Sequence, residues 1–286
     1  MGDLVHQLLT AIVTDGLAAI GNLVGGLAWT FAAFVLQTAD PTDPSRPFTQ
    51  LQVVQRMVPL SQTIANAGLV AVVMWGFYKT IWAGGMSTSP RSRLNYRQLI
   101  PRLALSALLI NTCVPLVQMT IDASNAASSS VVNVTKLSAA SFLSSELQSE
   151  LVEPGLRSLV AAVLLISYAL LGVSYVIRFA LLVLLVVLSP LAALFFVLPG
   201  TQHWSQTWAS LFVGALFSQP LQLLVLSLGV AMDAYLLLPI GHLFALATVL
   251  ICFRIPGALH STSAVGRKAM SAAKREGRKL VKLAMK

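Results

Sequence analysis

Seven long stretches without a charged residue constrain this chain more than any other feature. A helix needs roughly 20 residues to cross the hydrocarbon core of a bilayer, and each stretch has 19 or more. Only 10% of the 286 residues are charged, whereas soluble domains carry about 25%. The sequence therefore predicts an all-α, polytopic transmembrane helical bundle of about five to seven apolar segments. The uncharged runs are 16–39, 57–78, 103–121, 158–177, 179–202, 204–232 and 234–253.

Basic residues predict the topology of this bundle, because Lys and Arg collect in cytoplasmic loops. The loop between the second and third runs is basic and has no acidic residue, so we expect it to face the cytoplasm. The next connection, 122–157, is mainly acidic and rich in Ser, Ala and Asn, and we expect it to be an outer, solvated loop. The bases of the inner loop are Lys79, Arg91, Arg93, Arg97 and Arg102; the acids of the outer one are Asp122, Glu146, Glu150 and Glu153.

Residues 261–286 are predicted to form a basic amphipathic helix in the cytoplasm. Eight Lys and Arg residues against Glu276 give this tail +7 of the chain's net charge of +9. Such a helix binds anionic lipid at about 1 kcal/mol per basic residue. Nucleic acid is the weaker alternative, because the tail has no aromatic residue on which bases could stack. The predicted lipid- or partner-binding residues are Arg267, Lys268, Lys274, Arg275, Arg278, Lys279 and Lys282.

An outer loop at 122–157 and an inner tail require an odd number of crossings between them, but four apolar runs lie there. One run must be re-entrant, or two must form one long helix. The segment after Arg178 is one candidate, because no turn signal precedes it, and the pair split at Asp233 is another. The first residues carry acids and no base, so we expect them outside and without a cleavable signal peptide. Residues 1–56 are then an amphipathic or re-entrant element with an outer connection, or an additional span.

Polar residues within the apolar runs are the candidate functional residues, since an ionisable group at membrane depth costs about 2.5–3.5 kcal/mol. Arg178 snorkels at the interface if the chain turns there; if the helix continues, it faces a wet lumen or a carboxylate. Pro190 leaves a helix carbonyl without its donor. The Gln219 and Gln222 amides need partners in a subunit interface, a lumen or a neighbouring helix. The candidates are Arg178, Ser189, Pro190, Pro199, Gly200, Trp204, Trp208, Gln219, Gln222, Asp233 and Arg254.

The chain carries no pattern typical of an enzyme or of a bound cofactor. It has no P-loop and no catalytic Ser/His/Asp grouping, and His203 and His242 lack the spacing of metal ligands. Its two cysteines lie in apolar runs and suggest packing residues. Internal repeats and intramembrane carboxylate clusters, which are typical of many transporters, are also missing. We therefore expect no enzymatic activity, no cofactor and no metal.

Several short segments, in this order, resemble a known family. They are Ala67-Gly68-Leu69 through Lys79, Arg178, Leu188-Ser189-Pro190-Leu191-Ala192, Leu198-Pro199-Gly200-Thr201, Trp204 and Trp208, Gln219 and Gln222, and Arg254-Ile255-Pro256. Over roughly residues 57–260 the chain resembles the TrbL-type polytopic inner-membrane subunits of bacterial type IV secretion and conjugation machines.

The resemblance implies a polytopic membrane domain at 57–260 that crosses the bacterial inner membrane about five times, with the C-terminus in the cytoplasm. It also implies a subunit of a translocation channel or pilus-assembly platform for DNA or protein transfer. Such a subunit forms a homo-oligomeric ring among membrane lipids, beside ATPases, bitopic scaffold proteins and pilin. A small-molecule permease and another kind of export-gate component are the alternative functions.

Overall fold

A computed structural model describes residues 26, 34–35, 38–41, 43, 45–86, 96–135, 156–196, 201–235 and 240–258 of the chain. These ranges contain helices and no strand, in agreement with the predicted all-α class. A 3-10 turn at Phe48–Gln50 precedes the first long helix. The α-helices are α1 (Gln52–Met86), α2 (Tyr96–Thr135), α3 (Leu156–Val187), α4 (Ser189–Phe195), α5 (Gln202–Tyr235) and α6 (Ile240–Ala258).

Within the described ranges, five helices are long and apolar enough to cross a membrane, which confirms the predicted polytopic bundle. Three of them follow residue 136, and three is the odd number that the charge pattern requires. The predicted N-terminal element lies largely outside the described residues, and the basic tail lies wholly outside them. The candidate spans are Gln52–Trp75, Leu103–Thr135, Ala162–Val187, Gln202–Met232 and Ile240–Ala258.

Four apolar runs lie where an odd number of crossings is required, and two of these runs share the helix that contains Arg178. The runs 158–177 and 179–202 share α3, which continues through Arg178 to Val187. No proline lies within α3, and its one glycine, Gly172, is six residues before Arg178, so nothing in the backbone favours a turn at Arg178 itself. The pair split at Asp233, by contrast, forms the separate helices α5 and α6.

The solvated loop predicted from residue 122 is wrong for residues 122–135, because α2 continues to Thr135. Asp122 ends the uncharged run but not the helix: it is exposed and accepts a hydrogen bond from Gln118 one turn earlier (2.6 Å). The small residues that follow pack inside the protein, where Ser124 and Ser128 are fully buried. Small side chains of this kind let helices approach closely.

The chain divides into two units, of which the first comprises residues 1–45, 125–179 and 219–254. Its core is formed by aliphatic and aromatic side chains of α3, α5 and α6, together with Val35 from the N-terminal region. Gly229 permits a close approach of α5 and α6, because a Cβ at that position would lie 3.1 Å from the Cβ of Thr248 and closer still to its hydroxyl oxygen.

The second unit comprises residues 46–124, 180–218 and 255–286. The short helix α4 packs on α1, with Leu194 against Gly68. Ser106 of α2 donates a hydrogen bond to the Ala193 carbonyl (2.7 Å). An apolar cavity of about 180 Å³ lies in this unit and is lined by side chains that include Cys113 and Trp208.

Candidate functional site

Arg178 lies inside a membrane-length helix and is 9% exposed. The predicted snorkelling at an interface is therefore wrong, since α3 continues for nine residues beyond it, to Val187. A buried guanidinium needs acceptors for its N–H groups, because an unpaired ion loses several kcal/mol of hydration. The surroundings of Arg178 are thus the chemically most demanding part of the first unit.

Two acceptors from distant parts of the chain meet the Arg178 guanidinium. Its Nη2 donates to the Gln219 amide oxygen (2.9 Å) and to the Thr38 hydroxyl oxygen (3.2 Å). The Thr38 hydroxyl in turn donates to the same Gln219 oxygen (2.5 Å). The guanidinium carbon also lies 5.9 Å from the centre of the Tyr175 ring, within the range of a cation–π contact.

Both ends of the Gln219 amide are engaged. Its oxygen accepts from Arg178 and Thr38, and its Nε2 donates to the Val35 carbonyl (3.0 Å). The reverse orientation of the amide would face donors with an NH₂ group, so the contacts fix which atom is oxygen. Gln219 thereby joins α5 to α3 and to the N-terminal region.

Asn125 of α2 contacts the backbone of the same threonine. Its Oδ1 accepts from the Thr38 N–H and its Nδ2 donates to the Thr38 carbonyl, each at 2.9 Å. Thr38 lies outside regular secondary structure, so its backbone groups have no helical partners. We call Asn125, Arg178 and Gln219 the Thr38 clamp: one long polar side chain each from α2, α3 and α5.

A further set of polar groups lies one helical turn from the clamp residues in sequence. The Gln222 Nε2 donates to the Cys252 carbonyl (3.0 Å), which joins α5 to α6. The Ser128 and Tyr175 hydroxyls and the Gln222 amide oxygen are buried without a hydrogen-bond partner among the described residues. These three atoms receive no hydrogen bond from the described part of the unit.

In the second unit, neighbouring side chains compensate for the backbone donor that Pro190 lacks. Pro190 lies in the first turn of α4 and cannot donate to the Val186 carbonyl. The Ser189 hydroxyl donates to that carbonyl instead (2.7 Å), and the Trp208 indole donates to the neighbouring Leu185 carbonyl (2.9 Å). The carbonyl that the sequence leaves without a donor is thus satisfied by protein.

A comparison with protein families decides what kind of protein carries this architecture. The model of the TrbL/VirB6 plasmid conjugal transfer-like family matches residues 1–282. The chain belongs to this family. Searches of curated proteins and of solved structures give no match. The chain is accordingly a multi-pass membrane component of a conjugal transfer or type IV secretion system, as the resemblance predicted.

In this TrbL/VirB6 chain, none of the other predicted residues that the structure describes belongs to the clamp. Trp204 is 61% exposed beside His203, and Arg254 is exposed in the last turns of α6. Asp233 lies in α5, but its side chain is outside the described part, and so are Pro199 and Gly200. The seven basic tail residues also lie outside it. Among the described residues, no group of three His, Cys, Asp or Glu is arranged to hold a metal ion.

Sequence reasoning missed two of the four residues that meet at the clamp. Thr38 ends the first uncharged run, and Asn125 lies within the small-residue segment Ser124-Asn125-Ala126. A single amide among small residues is the one available signal, because small residues permit close packing and an amide then needs a partner. The family match includes Thr38, whereas the resemblance drawn from sequence began at residue 57.

Proposed function

We propose that this chain is an integral subunit of the translocation channel or pilus-assembly platform of a conjugation or type IV secretion machine. The observation that carries the proposal is the TrbL/VirB6 family match over residues 1–282. Five candidate membrane spans support it, because a channel or platform subunit has to be embedded in the bilayer. The substrate class is DNA, protein or both.

The surface of α1 supports assembly with neighbouring subunits. In its candidate span only 17% of the most apolar window is buried, against 56% in α5. Large apolar side chains stay exposed along this helix, including Val53, Met57, Leu60 and Ile64. Lipid or a second apolar surface has to cover such a face. A homo-oligomeric ring in the inner membrane, surrounded by lipid, is consistent with it.

The charge pattern supports an orientation for this subunit. The first residues face outward, and the basic tail from Arg267 to Lys282 lies in the cytoplasm against anionic lipid or a partner. In this orientation the cytoplasmic side meets the machine's ATPases and the outer side meets bitopic scaffold proteins and pilin. The chain acts through assembly and carries no catalytic residue in this proposal.

The experiment is deletion and complementation in a donor strain that depends on this chain. We expect the deletion to abolish transfer and to leave solute uptake normal, and the wild-type gene to restore transfer. Arg178→Ala is expected to restore transfer poorly, whereas the matched variant Arg56→Ala, at an exposed arginine of α1, is expected to restore it fully. Unchanged transfer in the deletion strain, or a selective defect in solute uptake, would contradict the proposal and favour a permease.

A further inference from the structure

The N-terminal region contributes a short segment to the interior of the first unit. We call its described residues 34–35 and 38–40 the strap. Val35, Thr38, Ala39 and Asp40 are all buried. The Phe34 ring meets Phe179 of α3 edge to face, with centroids 5.1 Å apart. The strap therefore occupies a place among the membrane-length helices.

The clamp binds the strap through both its backbone and one of its side chains. Asn125 holds both backbone groups of Thr38, and Gln219 holds the Val35 carbonyl. These contacts recognise backbone N–H and carbonyl groups, and any residue at position 38 other than proline could make them. Arg178 and Gln219, in contrast, form hydrogen bonds with the Thr38 side-chain hydroxyl. Their contacts therefore select a hydroxyl-bearing residue at position 38.

We propose that the strap is an intramolecular ligand of the clamp and that its docking seals the polar interior of the first unit against water. Without the strap, a guanidinium and two amides would lose Thr38 and Val35 as partners. Buried polar groups that lose their partners draw in water when water can reach them. Docked, the unit is dry; undocked, it has a hydrated polar centre. The inference rests on the proposed function, to which it adds a seal that keeps water out of the polar interior of the first unit.

The strap also covers a natural reporter of hydration. Val35 belongs to the same apolar cluster as Cys252, which is fully buried. The Cys252 thiol donates weakly to the carbonyl of Gln222, one turn from the clamp residue Gln219. Release of the strap removes Val35 from this cluster, so water and a charged thiol reagent can reach Cys252. The second native cysteine, Cys113, lies buried in the second unit.

The two cysteines make the test internally controlled. The full chain, in open membrane fragments, is treated with a charged, membrane-impermeant methanethiosulfonate. Modification of Cys252 and of Cys113 is then followed separately by peptide mass spectrometry. Release of the strap exposes Cys252 alone, whereas unfolding exposes both thiols. The apolar lining of the cavity beside Cys113 disfavours entry of the charged reagent.

The decisive comparison is between Thr38→Val and Thr38→Ser. Valine keeps the branched shape and loses the hydroxyl, and serine keeps the hydroxyl. Since a hydrogen bond to a charged group is lost, Thr38→Val is expected to raise the rate of Cys252 modification at least about tenfold. Thr38→Ser is expected to stay near the wild-type rate. Asn125→Ala, which releases the Thr38 backbone, is expected to act like Thr38→Val.

Three results would overturn the proposal: an unchanged rate at Cys252 in Thr38→Val and Asn125→Ala, equal rates in Thr38→Ser and Thr38→Val, or a parallel rise at Cys113 in both variants. The measurement needs no transfer assay. If the cysteine-modification results are as expected but the chain does not support transfer, the seal is supported and the proposed function is contradicted. If the chain supports transfer but the cysteine-modification results are not as expected, the proposed function is supported and the seal is contradicted.

Discussion

At the scale of single residues, Arg178 has the highest energetic cost of burial among the described side chains, because it is a buried ion within a membrane-length helix. Burial of an ion costs several kcal/mol even after relaxation. Each hydrogen bond from a charged group contributes about 1.5–3 kcal/mol, and the face of Tyr175 adds about 0.5–2 kcal/mol. The contacts to Thr38 and Gln219 are therefore of the magnitude needed to hold the guanidinium in the protein. Gln219 carries most of this arrangement, because its amide serves three groups.

Loss of the polar atoms of Gln219 is expected to reduce the stability of the protein strongly, whereas loss of the Tyr175 hydroxyl is expected to leave it almost unchanged. Gln219→Leu removes one acceptor from Arg178 and the side-chain donor to the Val35 carbonyl and is expected to cost about 3 kcal/mol or more. Tyr175→Phe removes a buried hydroxyl that has no partner among the described residues and is expected to change stability by less than about 0.5 kcal/mol. Thermal unfolding of the purified proteins in one detergent measures both. A large loss in Tyr175→Phe would mean that its hydroxyl has a partner.

The three clamp residues and Thr38 differ in how easily the sequence alone identifies them. Arg178 and Gln219 stand out because a charge or an amide in an apolar run has to be compensated. Thr38 and Asn125 are ordinary residues by that criterion. They acquire their role from contacts across 140 residues to Arg178 and across 87 residues to each other, and no local pattern encodes such a separation.

At the scale of elements, Ser189 and Pro190 act as a pair. Pro190 removes one backbone donor, and the Ser189 hydroxyl replaces it at the Val186 carbonyl. Ser189→Ala is expected to destabilise the protein by about 1–2 kcal/mol, since a buried carbonyl loses its partner. In the double variant Ser189→Ala/Pro190→Ala, the new N–H at position 190 can bond that carbonyl, and most of the loss is recovered. Ser129→Ala, at an exposed hydroxyl of α2, is the control in the same unfolding assay. Additive losses in the double variant would contradict this exchange.

The α5–α6 contact depends on the missing side chain of Gly229. Gly229→Ala places a methyl group against Thr248 and is expected to cost about 1–3 kcal/mol through overpacking. Thr248→Ala in the same chain removes the colliding hydroxyl and methyl and is expected to restore much of the stability. Gly257→Ala, where a Cβ would meet nothing within 4 Å, is expected to be neutral or slightly stabilising. Equal losses in Gly229→Ala and Gly257→Ala would place the effect in the backbone and not in the contact.

The elements were predictable where hydropathy and helix ends coincide, and not where they diverge. The single charge of Arg178 divided α3 into two apolar runs although no backbone signal breaks the helix. Asp122 ended the third run although α2 continues to Thr135. In both cases a polar partner compensates the charge: Gln219 and Thr38 at Arg178, and the Gln118 amide at Asp122. Hydropathy reports the transfer cost of a side chain and carries no information on such compensation.

At the scale of the whole molecule, the number of spans and the charge pattern combine into a topology. Three candidate spans lie between residue 136 and the tail, so the C-terminal end of α2 and the tail are expected on opposite sides of the membrane. The tail carries +7 of the net charge of +9, and the positive-inside rule predicts that it is cytoplasmic. Ser130 and Val134 are exposed near the end of α2 and are suitable reporter positions for the outer side.

A cysteine added at position 130 or at position 271 tests this topology. In intact cells, an impermeant maleimide is expected to label Ser130→Cys, because its thiol faces outward in the predicted orientation. It is expected to label Ser271→Cys only after the inner membrane is opened. The wild-type chain is the background control, since Cys113 and Cys252 are both buried. Labelling of both positions from one side would require an even number of crossings, and one of the three helices α3, α5 and α6 would then not span the membrane. Labelling of Ser271→Cys alone in intact cells would keep the three crossings and invert the orientation, which would show that the basic tail does not determine it.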